Sequence, residues 1–212
     1  ANAPKPDAIM PTVPAGFQVS VAAELPAPRL MVYAPNGDLF VSSPASNSIT
    51  VLRDANNDGV FETRSVFLEA PVPQRGGGRQ AGPPPAPPAP ATVVDPNING
   101  PILGAAAPSC AAPPAFNTRG VGTLGAPFGM AFNDGYLYVG NTASLVRYKY
   151  ASGDLKAQGE GEKLLDLPVG GHSTRNIIFN RAGTKMYLAV GSGSNNNAGE
   201  DCRRAAVLEF NP

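Results

Sequence analysis

The chain has 212 residues, with 16 basic and 16 acidic side chains and a single histidine. That balance, with no basic stripe and no polybasic cluster, excludes the electrostatic footprint of a nucleic-acid binder or of a protein drawn to an anionic membrane. Glycine and proline number 24 each, close to a quarter of the chain, which argues against long helices, and no apolar run approaches the roughly 20 residues of a membrane span.

Residues 1–15 read as an extended N-terminal arm, because Pro4, Pro6, Pro11 and Pro14 block regular structure. The polar, proline-rich start matches either a mature chain after signal-peptide removal or an internal fragment; the first would place the protein in the periplasm or outside the cell. Phe17–Val21 alternates apolar and polar residues and has strand character. Arg29–Tyr33 and Leu39–Ser42 flank a turn carrying Asn36-Gly37, a strong hairpin signal. Ser48–Arg53, an acidic turn and Thr63–Leu68 complete a four-stranded antiparallel meander.

The unit recurs. Pro127–Phe132, the turn Asn133-Asp134-Gly135 and Tyr136–Gly140 repeat the pattern of residues 28–42, followed by Ser144–Tyr150 and Glu162–Leu167. A third copy runs through Asn176–Phe179, the turn Asn180–Gly183, Lys185–Gly191 and Arg204–Asn211. Pro127 and Arg175 are 48 residues apart, a natural length for one four-stranded propeller blade. Pro28 to Pro127 is 99 residues, an excess that falls in a Pro/Gly-rich tract. The fold expectation is therefore all-β: a β-propeller with blade 1 over residues 16–70, an insertion over 71–125, blade 2 over 126–170 and an incomplete blade 3 over 171–212. Three blades close no ring and leave sheet edges open. The remaining blades would come from a second chain or a second copy.

His172 lies in Gly170-Gly171-His172-Ser173-Thr174-Arg175-Asn176, just before a β-branched run. Imidazole is the side chain suited to moving protons near neutral pH, and a hydroxyl, a cation and an amide follow within four residues. The alternative is a histidine in an ordinary hairpin turn. Asp54-x-Asn56-x-Asp58-Gly59 opens like a calcium loop, with oxygen ligands at alternate positions. Ser65 stands where the twelfth-position Glu would be, so Glu62 or a carbonyl would have to complete a looser site; a polar Asn/Asp/Gly turn is the alternative. Gly191–Asn197 is an amide-rich loop after a strong strand, with Asn195 among its hydrogen-bonding groups. Arg203 and Arg204 sit beside Glu200 and Asp201 as ordinary surface ion pairs would. Cys110 and Cys202 could form one disulfide in an oxidising compartment. No Gly-x-Ser-x-Gly elbow, phosphate loop or Cys-x-x-Cys pair is present.

Taken together and in order, Val13–Phe17, Pro35–Val41, Val51–Gly59, Pro127–Phe132, Gly170–Asn176 and Arg203–Ala206 resemble the L-sorbosone dehydrogenase family, a branch of the soluble quinoprotein glucose and sorbosone dehydrogenases. The resemblance covers all but the insertion and the extreme N-terminus. It implies a six-bladed propeller of which this chain is the N-terminal half. It also implies oxidation of a sugar or sugar aldehyde with pyrroloquinoline quinone (PQQ), usually with calcium. In that setting His172 is the general base, Arg175 is a fork of donors toward the quinone's carboxylates, and Asn176 and Asn195 hold cofactor or substrate. Ser173 replaces the family's usual aromatic, and Gly171 replaces the acidic residue that precedes the histidine in the glucose enzymes. The family's main quinone-holding arginines and lysine lie mostly beyond this half. Two other functions fit the pattern: a non-catalytic propeller for binding or assembly, with the Pro-rich insertion as contact arm, and a calcium-dependent sugar lactonase.

Overall fold

The computed structural model describes residues 11–72, 120–195 and 201–212. These residues contain twelve strands and a single short 3-10 turn, arranged in three antiparallel sheets. The first is a meander of β1 (Leu30–Tyr33), β2 (Leu39–Ser43), β3 (Ser48–Arg53) and β4 (Thr63–Glu69). The second contains β5 (Gly120–Gly122), β6 (Pro127–Asn133), β7 (Tyr136–Asn141), β8 (Ser144–Lys149) and β9 (Gln158–Asp166), in the order β5-β9-β8-β7-β6. The third is β10 (Arg175–Phe179), β11 (Met186–Val190) and β12 (Ala206–Phe210). These are the blades of an incomplete β-propeller, as the repeat predicts.

Local turn chemistry sets the hairpins. At Asn36-Gly37 the Gly37 N–H donates to the Ala34 carbonyl at 2.9 Å, and the strands pair in register from Tyr33↔Leu39 to Leu30↔Ser42. Two sequence expectations change. Phe17–Val21 forms no strand: Phe17, Val19 and Val21 are exposed, because alternation alone supplies no hydrogen-bonding partner. Gly120–Gly122, inside the span read as insertion, is a fifth strand that pairs with β9 on the outer edge of the second blade. The rest of that insertion up to Arg119, from residue 73, lies outside the described residues, as does Cys110; Cys202 is disulfide-bonded.

The middle blade is buried on both faces, and the two-residue period of its strands sorts its side chains between two cores. Leu137, Val139, Val146 and Tyr148 pack toward the first blade, against Phe40, Ile49, Val51 and Phe67. Tyr138 and Leu145, one residue out of phase, join Ile177, Met186, Leu188 and Phe210 of the third blade. Phe40 centres the first core, with edge-to-face rings of Phe67 and Phe132 each 5.0 Å away. Burying each such side chain contributes about 1.5–3 kcal/mol.

Polar staples hold the blades in register. Buried Asn47 donates to the carbonyls of Ala70, Pro71 and Leu124 and accepts from the Ala126 N–H. At the opposite end Arg53 forks onto Asp38 at 2.7 and 2.6 Å and also reaches the Gly153 carbonyl. The first strands β1, β6 and β10 lie side by side and point the same way, since Phe128 sits by Ser42 and Asn133 by Gly183. Together they line a groove of about 530 Å³ whose walls include Met31, Tyr33, Met130, Phe132 and Ile178.

Candidate functional site

The blades have two ends. One, where β1, β6 and β10 begin, carries the loop 167–174 before β10 and the loop between β11 and β12. The other carries the hairpin turns after those strands and, because β3 runs back toward it, the acidic loop 54–62.

At the strand-start end two glycine-containing loops pack against each other. Gly171 has φ +62°, and a Cβ there would run into the backbone of Gly193. The position therefore needs both the left-handed backbone and the missing side chain that glycine provides. This contact brings the His172 N–H to the Ser192 carbonyl at 2.9 Å and the Gly191 N–H to the Thr174 carbonyl at 3.1 Å.

His172 is exposed at this junction, and its Nε2 lies 2.8 Å from Asn195 Oδ1. An amide oxygen only accepts, so in this contact Nε2–H is the donor, and in the neutral ring that tautomer leaves the Nδ1 lone pair unprotonated. Two residues 23 positions apart, both singled out from sequence, are thus joined into one hydrogen-bonded unit. Asn176 is exposed on β10, one residue into the strand after the loop.

Arg175 corrects the expectation placed on it. Rather than presenting a fork of donors to a ligand, it is fully buried, with 0% of its surface accessible. Nη1 donates to the carbonyls of His172 and Thr174, Nη2 donates to that of Pro168, and Nε is buried without a partner. Its side chain is buried because Gly140 leaves room beside its Cβ, and Gly129 lets β6 approach the Arg175 carbonyl. Burial, and after it the charge of Arg204, push the guanidinium down to about 10.

Arg204 is the residue that sequence reading missed. Arg203 does pair with Asp201, at 2.7 Å, and holds that carboxyl down at about 2. Arg204 instead turns inward, 7% exposed, and donates to the carbonyls of Gly191, Ser192, Pro168 and Gly170. A run of acidic and basic residues gives no sign of which arginine faces the interior. Arg204 lies in the turn that leads into β12, where its N–H donates to the Asp201 carbonyl at 2.8 Å.

The acidic loop is a separate place. The carboxylates of Asp54, Asp58 and Glu62 lie within 4.8 Å of one another, so Glu62 does supply the third acidic group. Asp54 accepts from the N–H groups of Asp58 and Gly59, Asn56 from Asp58, and Asp58 from Val60. The loop is at the far end of its blade from His172, so the two sets of residues do not form one centre.

No family model matches this sequence, and no curated protein matches it by sequence. The fold is that of the propeller dehydrogenase domains among solved structures. The holo form of the pyranose dehydrogenase PQQ domain from Coprinopsis cinerea superposes with a TM-score of 0.58 at 15% identity, over 94% of this chain and 37% of that one. The calcium structure of the Trichoderma reesei carbohydrate-active enzyme of family AA12 gives 0.52 at 13% identity, over 84% and 32%. The iodide structure of the same enzyme family gives 0.51 at 13%, over 89% and 38%. The chain spans about a third of the length of these structures, and at such identities the likeness establishes the fold.

Proposed function

We propose that this chain is part of a quinoprotein-type sugar or sugar-aldehyde dehydrogenase that uses PQQ, with His172 as general base. The observation that carries the reading is the His172–Asn195 contact, which ties Nε2 of an exposed imidazole to the facing loop at the strand-start end. The fold shared with a PQQ domain supports it. The ordered motifs favour the L-sorbosone branch.

The quinone, when bound, supplies the acceptor for substrate hydride. The residues at this end fit it in part. His172, Asn176 and Asn195 are exposed hydrogen-bonding groups. Arg175 is closed off and offers the quinone's carboxylates no donor; on the family resemblance, the cations that hold them lie mostly in the C-terminal half. His172 Nδ1 takes the proton of the substrate hydroxyl, Asn195 holds the ring through Nε2–H, and Asn176 orients substrate or cofactor. A positioned base of this kind contributes about 10²–10⁴-fold.

The acidic loop fits a calcium ion by donor chemistry, with carboxylates of Asp54, Asp58 and Glu62 and the amide oxygen of Asn56. An ion there would brace the β3–β4 connection and take no part in the reaction. The missing blades are supplied by a second chain, a second copy or a longer precursor, and the compartment is the periplasm or the exterior. Among the described residues no helix is long and apolar enough to cross a membrane. The test is to add PQQ and calcium to the native assembly and follow reduction of an artificial dye by a panel of aldoses and sugar aldehydes. Quinone-dependent turnover is expected, whereas no turnover across the panel would leave the propeller as a binding module.

A further inference from the structure

Two guanidiniums lie buried side by side under the His172 loop, and every described hydrogen-bond acceptor of either is a backbone carbonyl. Arg204 reaches both walls of the junction: Pro168 and Gly170 before the histidine, and Gly191 and Ser192 on the opposing loop. Arg175 ties the Pro168 carbonyl to those of His172 and Thr174.

Placing two like charges together away from water is unfavourable, and an apolar pair of similar volume would serve the sheet better. What apolar side chains cannot do is fix the direction of six carbonyls on two separate loops. Lysine could not either, since a single ammonium lacks the planar fork that reaches divergent acceptors. The Ser192 carbonyl that Arg204 engages also receives the His172 N–H, so the clamp and the histidine backbone share an atom.

We propose that Arg204, acting with Arg175 through the carbonyls of Pro168, Gly170, Gly191 and Ser192, positions His172 so that Asn195 selects its Nε2–H tautomer. Arg204 is a positioning residue and touches no substrate. The value of the imidazole as a base rests on the function proposed above; its placement does not. A base displaced by about 1 Å loses on the order of 10²-fold in rate.

The experiment compares the native assembly with an Arg204→Lys variant after ¹⁵N-histidine labelling. A difference spectrum against His172→Ala assigns the imidazole nitrogens of His172. The wild type should show a single Nε2–H tautomer. Arg204→Lys should show a mixture of tautomers, and kcat for sugar oxidation should fall about 10- to 100-fold with KM nearly unchanged. An unchanged tautomer signature in Arg204→Lys would overturn the proposal and leave Arg204 a purely structural residue. A changed signature together with wild-type turnover in His172→Ala would uphold the positioning and sink the catalytic reading instead. If Arg204→Lys does not fold, hydrogen exchange of the wild type decides. The amides of His172 and Gly191 should exchange slowly and together, and exchange at free-loop rates would refute the clamp.

Discussion

Arg175 and Arg204 donate to one acceptor, the carbonyl oxygen of Pro168, at 2.7 and 2.8 Å. Through that shared atom the start of β10 and the approach to β12 form one unit beneath His172. The geometry of the loop above them depends on close backbone contact as well as on the clamp.

Gly171→Ala should show this. An alanine at φ +62° costs about 1–2 kcal/mol, and its Cβ would push the loop off Gly193. Turnover should drop on the order of 10²-fold while the thermal midpoint falls only a few degrees, read by steady-state kinetics and calorimetry on the same preparations.

The packing of blade on blade makes a second prediction. A Cβ on Gly129 would strike the Arg175 carbonyl and the Asn176 Cα, both backbone, whereas one on Gly120 meets open space. Gly129→Ala should destabilise the assembly by about 1–3 kcal/mol in denaturant titration. Gly120→Ala should stay within about 0.5 kcal/mol of wild type.

What the sequence shows and hides follows from how local each cause is. The hairpins at Asn36-Gly37 and Asn133–Gly135 were legible because a turn is specified by its own residues. β5 was not, since Gly-Val-Gly has no strand composition and becomes a strand only because β9 offers it a partner. The alternation of Phe17–Val21 misled for the opposite reason. His172 and Asn195 could be singled out by residue type, but their contact across 23 residues could not. Least legible were the arginines: Arg175 seemed a ligand fork and Arg204 a surface charge, while tertiary packing made both into interior clamps.

Acid should loosen two ion pairs in a defined window. Hydrogen bonds from Arg53 hold Asp38 below its ordinary value, and Arg203 holds Asp201 at about 2. Both carboxyls titrate lower folded than unfolded, so their contribution is complete above the ordinary carboxylate range, near 4, and is lost as pH falls below it toward 2. Unfolding midpoints should be flat in this respect from pH 5 to 7 and fall below about pH 4. Asp38→Asn should flatten part of that fall, and an unchanged pH profile would remove the Arg53 staple from the account.

Separation of the acidic loop from the His172 junction predicts a separation of effects. Calcium should raise the thermal midpoint of the native assembly, and Asp58→Asn should reduce that rise. The kcat of Asp58→Asn should stay within about twofold of wild type, because substitutions far from a site with no shared partners act independently. A large loss of kcat with an intact calcium response would place the loop in the reaction.

Whether His172 is the base of a quinone-dependent oxidation comes down to one rate. With quinone saturating and calcium present, initial dye reduction by the preferred sugar should fall about 10²–10⁴-fold in His172→Ala relative to wild type, with quinone affinity unchanged. Wild-type turnover in that variant would contradict the claim and return His172 to the role of a turn residue.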